Sequence, residues 1–167
     1  VDGSKYKKHK YIQFHPSFTY QDFIEGIKPM GITAGGNVNL EVVNGVFKAF
    51  CIYVRKENEA YWNTLTRKPD VSNPSDFAEW PHYYFIVDEI NRGNLSKIFG
   101  ELLMLIEKDY RGTKLTLAYN DERFYVPKNL YIIGMMNTAD RSLAMIDYAL
   151  RRRFSFIKMK PGFDSIG

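Results

Sequence analysis

The chain has 167 residues, of which 45% are hydrophobic and 16% aromatic, and a net charge of +4. That length suits one domain with a sizeable core, and the composition excludes a disordered chain. The mild positive excess gathers at the two ends with no basic stripe interleaved with aromatics, so nothing argues for direct nucleic-acid contact, and no apolar run reaches the roughly eighteen residues of a membrane span.

The first elements are predicted almost at once. Tyr11 to His15 reads as a short strand stopped by Pro16, and Ser17 to Ile27 as a helix with Phe18, Phe23, Ile24 and Ile27 as its apolar positions. Pro29, Gly31, Gly35 and Gly36 mark a loop or small hairpin. Leu40 to Val43 is a possible strand of it, ending at the Asn44-Gly45 turn signal. Val46 to Leu65 has a helical period, and Cys51 lies within it among Phe47, Phe50 and Ile52. A lone cysteine there predicts a packed thiol and excludes a disulfide or a cysteine-based metal site. Lys68 to Pro81, with its prolines, is expected to be a surface connection.

Tyr83-Tyr84-Phe85-Ile86-Val87-Asp88-Glu89 is the most telling segment. An apolar run that ends in two carboxylates predicts a buried strand with acids at its C-terminal end. Asn94 then suits the N-cap of an amphipathic helix over Leu95 to Lys108. Leu115–Tyr119 and Glu122–Val126 alternate around Asn120-Asp121 as a β-hairpin. Leu130 to Met136 is a second buried strand, followed by Asn137-Thr138-Ala139-Asp140-Arg141-Ser142, a helix from about Leu143 to Arg151, and a last strand over Phe154 to Met159. Alternating strands and helices predict a mainly parallel sheet in an α/β fold.

In such sheets ligands bind outside the carboxyl ends of the strands. Asp88 and Glu89 there suit a magnesium-nucleotide site, one acid orienting a metal-bound water and the other polarising an attacking water. An acid pair starting a helix is the alternative. Asn137 could hold an attacking water or a γ-phosphate oxygen. Asp140 can cap the following helix or hold a loop or partner, whereas Arg141 is disfavoured by the helix dipole at that end, which hints at a specific role. Arg151, Arg152 and Arg153 suit a helix C-terminus, or one of them serves as an arginine finger reaching a neighbouring subunit. His15 at a strand end reads as structural. The phosphate cradle G-x-x-x-x-G-K-[ST] does not occur in the chain.

Together these residues resemble a family. Phe85 to Arg92 is similar to the Walker B segment of AAA+ proteins. Met136-Asn137-Thr138-Ala139-Asp140-Arg141-Ser142 resembles the signature of McrB-type GTPase subunits of methylcytosine-dependent restriction systems. Gln13 to Ser17 with Phe23 to Gly26, Glu122 to Pro127, and Ala149 to Phe154 extend the likeness over roughly residues 11–164. The resemblance implies that Asp88 serves Mg2+ through water, that Glu89 is the catalytic base and Asn137 the sensor, and that Asp140 and Arg141 belong to the guanine-nucleotide signature. Arg152 or Arg153 would be the finger acting in trans. GTP would be the substrate, with ATP the alternative. The implied assembly is a homo-oligomeric ring, typically hexameric, that translocates on DNA and activates an McrC-type endonuclease subunit. An ATP-driven remodelling module and a non-catalytic interaction module are the competing readings.

The resemblance also implies a partial AAA+ α/β core over residues 1–167, a piece of a longer cytoplasmic protein whose phosphate loop lies upstream of Tyr11 and whose helical lid lies downstream. The strand before that loop would separate the Leu130–Met136 and Phe154–Met159 strands. Its absence predicts two unpaired strand edges that pair with each other or with another copy.

Overall fold

The computed structural model describes residues 8–67, 69–70, 73–137 and 148–159. In chain order its elements are β1 (His9–Gln13), α1 (Tyr20–Phe23), β2 (Glu25–Ile32), β3 (Val38–Asn44), α2 (Val46–Trp62), α3 (Pro74–Ala78), β4 (Tyr83–Asp88), α4 (Leu95–Phe99), β5 (Leu115–Thr116), β6 (Arg123–Phe124), β7 (Leu130–Gly134) and α5 (Tyr148–Arg151). Strands β1, β4 and β7 form a parallel sheet with β4 in the centre. Its register sets Tyr11 beside Ile86, Gln13 beside Asp88 and Val87 beside Gly134. This is the α/β frame expected from the alternating pattern.

Side chains alternate across a strand. In β4, Tyr83, Phe85 and Val87 are buried in the core, while Tyr84, Ile86 and Asp88 share the opposite face. The core is built of phenylalanines. Phe23 and Phe47 stack with ring centroids 4.8 Å apart, and Phe85 meets both edge-on at 5.8 and 5.0 Å. Each such pair contributes about 0.5–1.5 kcal/mol beyond the area it buries. Close approach at Gly45 makes this stacking possible. A Cβ there would lie 2.4 Å from the Phe23 carbonyl carbon, and its N–H donates to the Ile24 carbonyl at 2.7 Å. Cys51 is buried, and burial pushes its thiol up out of the reactive range.

Four expectations change. The helix expected over Ser17–Ile27 is confined to Tyr20–Phe23, because the following residues pair with β3 as an antiparallel ribbon, Ile27 beside Val42 and Ile32 beside Val38. Gly26, Pro29 and Gly31 are poor helix residues, and ladder pairing takes over their backbone. The helix expected over Leu95–Lys108 is α-helical only to Phe99. Gly100 adopts φ +50, and 3-10 geometry follows over Gly100–Leu103. The 68–81 connection carries α3, and Trp80 within it is buried. The strand expected over Phe154–Met159 does not form. Residues 155–159 have no regular structure, and Ile157 is 88% exposed. A strand needs a neighbour for its backbone groups, and among the described residues β7 pairs only with β4. The expected joining of the two edges within the chain is therefore not seen. The 143–151 helix is described only over Tyr148–Arg151.

A buried ion triad joins three of these elements. Lys48 of α2 is fully buried and lies 2.7 Å from Glu25 of β2 and 2.6 Å from Glu122, just before β6. The other oxygen of Glu25 accepts the Tyr119 N–H at 3.1 Å. Removing one member of such a set strands an uncompensated charge. Lys48→Met is expected to cost about 3–5 kcal/mol, measured as the loss of unfolding free energy in urea titrations.

Burial also raises tyrosines. Tyr83 is pushed up to about 12 from its ordinary 10.0, chiefly by desolvation and secondarily by Glu57. Because the folded value lies above the unfolded one, this contribution is full below pH 10.0 and is lost as pH rises through about 12. Urea midpoints followed upward from pH 9 should fall across that window, and Tyr83→Phe should flatten the fall.

Candidate active site at the carboxyl edge of the sheet

The acid pair sits where the central strand leaves the sheet. Asp88 is the last residue of β4, and its carbonyl accepts the Phe14 N–H at 2.9 Å, which ties the end of β4 to the residue following β1. Its two carboxylate oxygens each have a donor: the Glu89 N–H reaches Oδ1 at 2.9 Å, and the Tyr11 hydroxyl reaches Oδ2 at 2.7 Å. That hydrogen bond to Asp88 raises the Tyr11 hydroxyl above its ordinary pKa.

Glu89 has a left-handed backbone, φ 49 and ψ 42. For a residue with a Cβ this geometry costs of order 1–3 kcal/mol, and such strain clusters at functional sites. It persists because its neighbours are held on both sides. Met135 N–H donates to the Val87 carbonyl at 2.8 Å, and Ile90 N–H to the Met135 carbonyl at 2.9 Å. The Glu89 Oε2 is buried and lies 3.3 Å from Arg92 Nε, a contact of charge without an aligned hydrogen bond. Asp88 and Glu89 thus present hard oxygen donors, one of them a buried atom lacking a hydrogen-bond partner, which is the donor chemistry Mg2+ takes.

The Met135 ladder also brings in the second polar cluster. β4 and β7 are parallel neighbours, so Asn137, three residues beyond β7, emerges on the same edge as Asp88 and Glu89. Asn137 is exposed there. Asp140 and Arg141 lie outside the described residues. The two finger candidates differ. Arg153 is mostly buried, with Nε 2.8 Å from Glu107 Oε1, whereas Arg152 is exposed. His15 is exposed beside the Phe18 ring. Among the described residues no group of three or more His, Cys, Asp or Glu side chains could hold a metal. No helix among them is long and apolar enough to cross a membrane. A cavity of about 190 Å³ lined by Tyr61, Arg67, Asp76 and Trp80 lies at the opposite end of β4.

Tyr11 and Arg92 are site residues that sequence reasoning did not single out. The period-2 pattern does place Tyr11 on one face of β1 and Asp88 on one face of β4, but only the register shows that these faces coincide.

A parallel sheet whose central strand ends in Asp-Glu beside an amide-bearing loop is the architecture of an α/β nucleotide-site domain. The chain belongs to the AAA domain family, dynein-related subfamily, whose model matches residues 5–154. It is similar to the type IV methyl-directed restriction enzyme EcoKMcrB subunit of Escherichia coli K12, 48% identical over 92% of this chain and 29% of that protein. It is also similar to the type II restriction enzyme BsuMI component YdiS of Bacillus subtilis 168, 28% identical over 87% of this chain and 46% of that protein. The chain therefore spans less than half the length of either relative. A solved structure from Cytophaga hutchinsonii aligns over 88% of this chain and 32% of that one at 16% identity and a TM-score of 0.44, too distant to bear on function.

The strain at Glu89 leads to a specific expectation. Glu89→Gly removes the left-handed penalty together with a buried carboxylate oxygen, and should raise the unfolding free energy by about 1 kcal/mol. Thermal melts of the two proteins side by side check it, and an unchanged or lower midpoint would contradict the strain assignment.

Proposed function

We propose that this chain is the Walker B to arginine-finger part of a nucleotide-hydrolysing AAA domain that powers a modified-DNA restriction system, with GTP as substrate. The observation that carries the reading is the meeting of Asp88, Glu89 and Asn137 at one sheet edge through the β4–β7 ladder. The likeness to a methyl-directed restriction subunit supports the biological setting, and the Asn137 to Ser142 signature supports GTP over ATP.

In this reading Asp88 orients water in the magnesium shell, and the metal, when bound, neutralises charge on the β- and γ-phosphates. Glu89 takes the proton of the attacking water, and Asn137 fixes that water or a γ-phosphate oxygen. Asp140 and Arg141 belong to the nucleotide signature. The phosphate-binding loop that this reading requires is not among the chain's 167 residues, which span 29% of the similar E. coli subunit. An arginine acting in trans requires a ring of copies, which the family resemblance gives as a hexamer. DNA and an McrC-type endonuclease are its partners, in the cytoplasm.

Arg152 is the better finger of the two, because Arg153 is engaged with Glu107. In the full-length protein Arg152→Ala should lower hydrolysis by about a thousandfold with little change in the melt. Arg153→Ala should mainly lower the melting temperature. Steady-state GTP hydrolysis and calorimetric melts separate the two.

Calorimetric titration of GTP and ATP with Mg2+, on this chain and on the full-length protein that carries it, tests the proposal as a whole. GTP binding by the full-length protein alone is expected. A preference for ATP would make an ATP-driven remodelling module the better account. Binding of neither would leave a non-catalytic interaction module.

A further inference from the structure

We propose that Tyr11 is a positioning residue for the metal-site carboxylate Asp88, an inference that rests on the reading of Asp88 as the residue serving magnesium. Tyr11 is the third residue of β1 and lies directly beside Ile86, two residues before Asp88. Residues two apart share a face, and a diagonal neighbour on the adjacent strand is within reach of a long aromatic side chain. The Tyr11 hydroxyl spans that diagonal and donates to Asp88 Oδ2 at 2.7 Å.

Packing does not account for the contact. Tyr11 is 52% exposed, so water could satisfy its hydroxyl without help from the protein. The bond it makes is instead short and charge-assisted, the stronger class of hydrogen bond. Its geometry complements the second donor on the same carboxylate. The Glu89 N–H holds Oδ1 and Tyr11 holds Oδ2, so a donor from β1 and one from the residue after β4 fix the plane of the group from both sides. A carboxylate oxygen accepts more than one hydrogen bond, so each keeps a lone pair for a water of a hydrated Mg2+. The Tyr11 hydroxyl is a side-chain donor to Asp88 that substitution can remove, whereas the Glu89 donor is backbone and persists. Tyr11 therefore sets the rotamer in which Asp88 meets the metal's water shell.

The test uses the full-length protein that carries this sequence and reads metal affinity directly. Mn2+ replaces Mg2+, and its binding in the presence of a non-hydrolysable GTP analogue is followed by electron paramagnetic resonance. Tyr11→Phe should weaken Mn2+ by about tenfold, the usual size of an outer-shell effect. It should leave analogue binding in EDTA and the melting temperature unchanged. Asp88→Asn should weaken Mn2+ more strongly, and adding Tyr11→Phe to it should cause no further loss, because the hydroxyl acts only through that carboxylate. A strong Asp88→Asn effect with a silent Tyr11→Phe would overturn the role of Tyr11 and leave the metal reading standing. A Tyr11→Phe effect that persists in the Asp88→Asn background would likewise overturn it. If Asp88→Asn left Mn2+ affinity unchanged, the metal reading itself would fall, and this inference with it.

Discussion

The buried contact among Lys48, Glu25 and Glu122 is the constraint on which the arrangement of the periphery depends. Lys48 lies in the first turn of α2, Glu25 begins the β2–β3 ribbon, and Glu122 belongs to the turn before β6. Charges taken out of water need partners of good geometry, so these elements can pack in few other ways. The ribbon has little else to hold it. Its Ile27, Ile32, Val38, Leu40 and Val42 are exposed, and a two-stranded ribbon alone is marginal in water. Its root is fixed by Glu25, by the Gly45 approach to Phe23, and by the phenylalanine stack below.

The carboxyl edge of the sheet depends on that scaffold in a different manner. Its rigidity comes from ladder hydrogen bonds that run one residue beyond each strand, Phe14 to Asp88 and Met135 to Val87. These hold Glu89 in a left-handed conformation that no local preference favours. Strain, a buried carboxylate oxygen without an aligned donor, and a tyrosine hydroxyl bound to the half-buried Asp88 carboxylate all collect at this edge. Buried amides are matched at the other end of the sheet, in the reciprocal contacts of Asn58 and Asn129 at 3.0 and 2.7 Å.

Much of this was legible in the sequence wherever a local rule agreed with the tertiary outcome. The apolar run of β4, the Asn94 cap that accepts from Lys97 at 3.1 Å, and the hairpin turning at Asn120-Asp121 all follow short-range chemistry. Asp88, Glu89 and Asn137 were visible as polar residues ending apolar runs, and the parallel pairing of β4 with β7 brings them to one edge. What failed was decided by partners distant in sequence. Ser17 to Ile27 has apolar residues at helical spacing, yet strand 38–44 captures its backbone from Glu25 onward. Phe154 to Met159 has the composition of a strand but pairs with no strand among the described residues. Tyr11 and Arg92 escaped notice because their roles depend on register and on the backbone turn at Glu89, neither of which composition encodes.

The placement of the two tryptophans has a practical consequence. Trp62 ends α2 and Trp80 precedes β4, their ring centroids 5.2 Å apart. Asp88 closes the same strand at its other end, roughly 17–20 Å away for a six-residue strand. Indole emission from this chain is therefore a spectroscopic signal from the amino-terminal border of the sheet. A change in it on adding a nucleotide would report motion transmitted through the body of the domain, whereas a silent spectrum would say nothing about occupancy at the carboxyl edge. A local optical probe of that edge has to be built from its own residues, and the tyrosine already bonded to Asp88 is the natural place to put one.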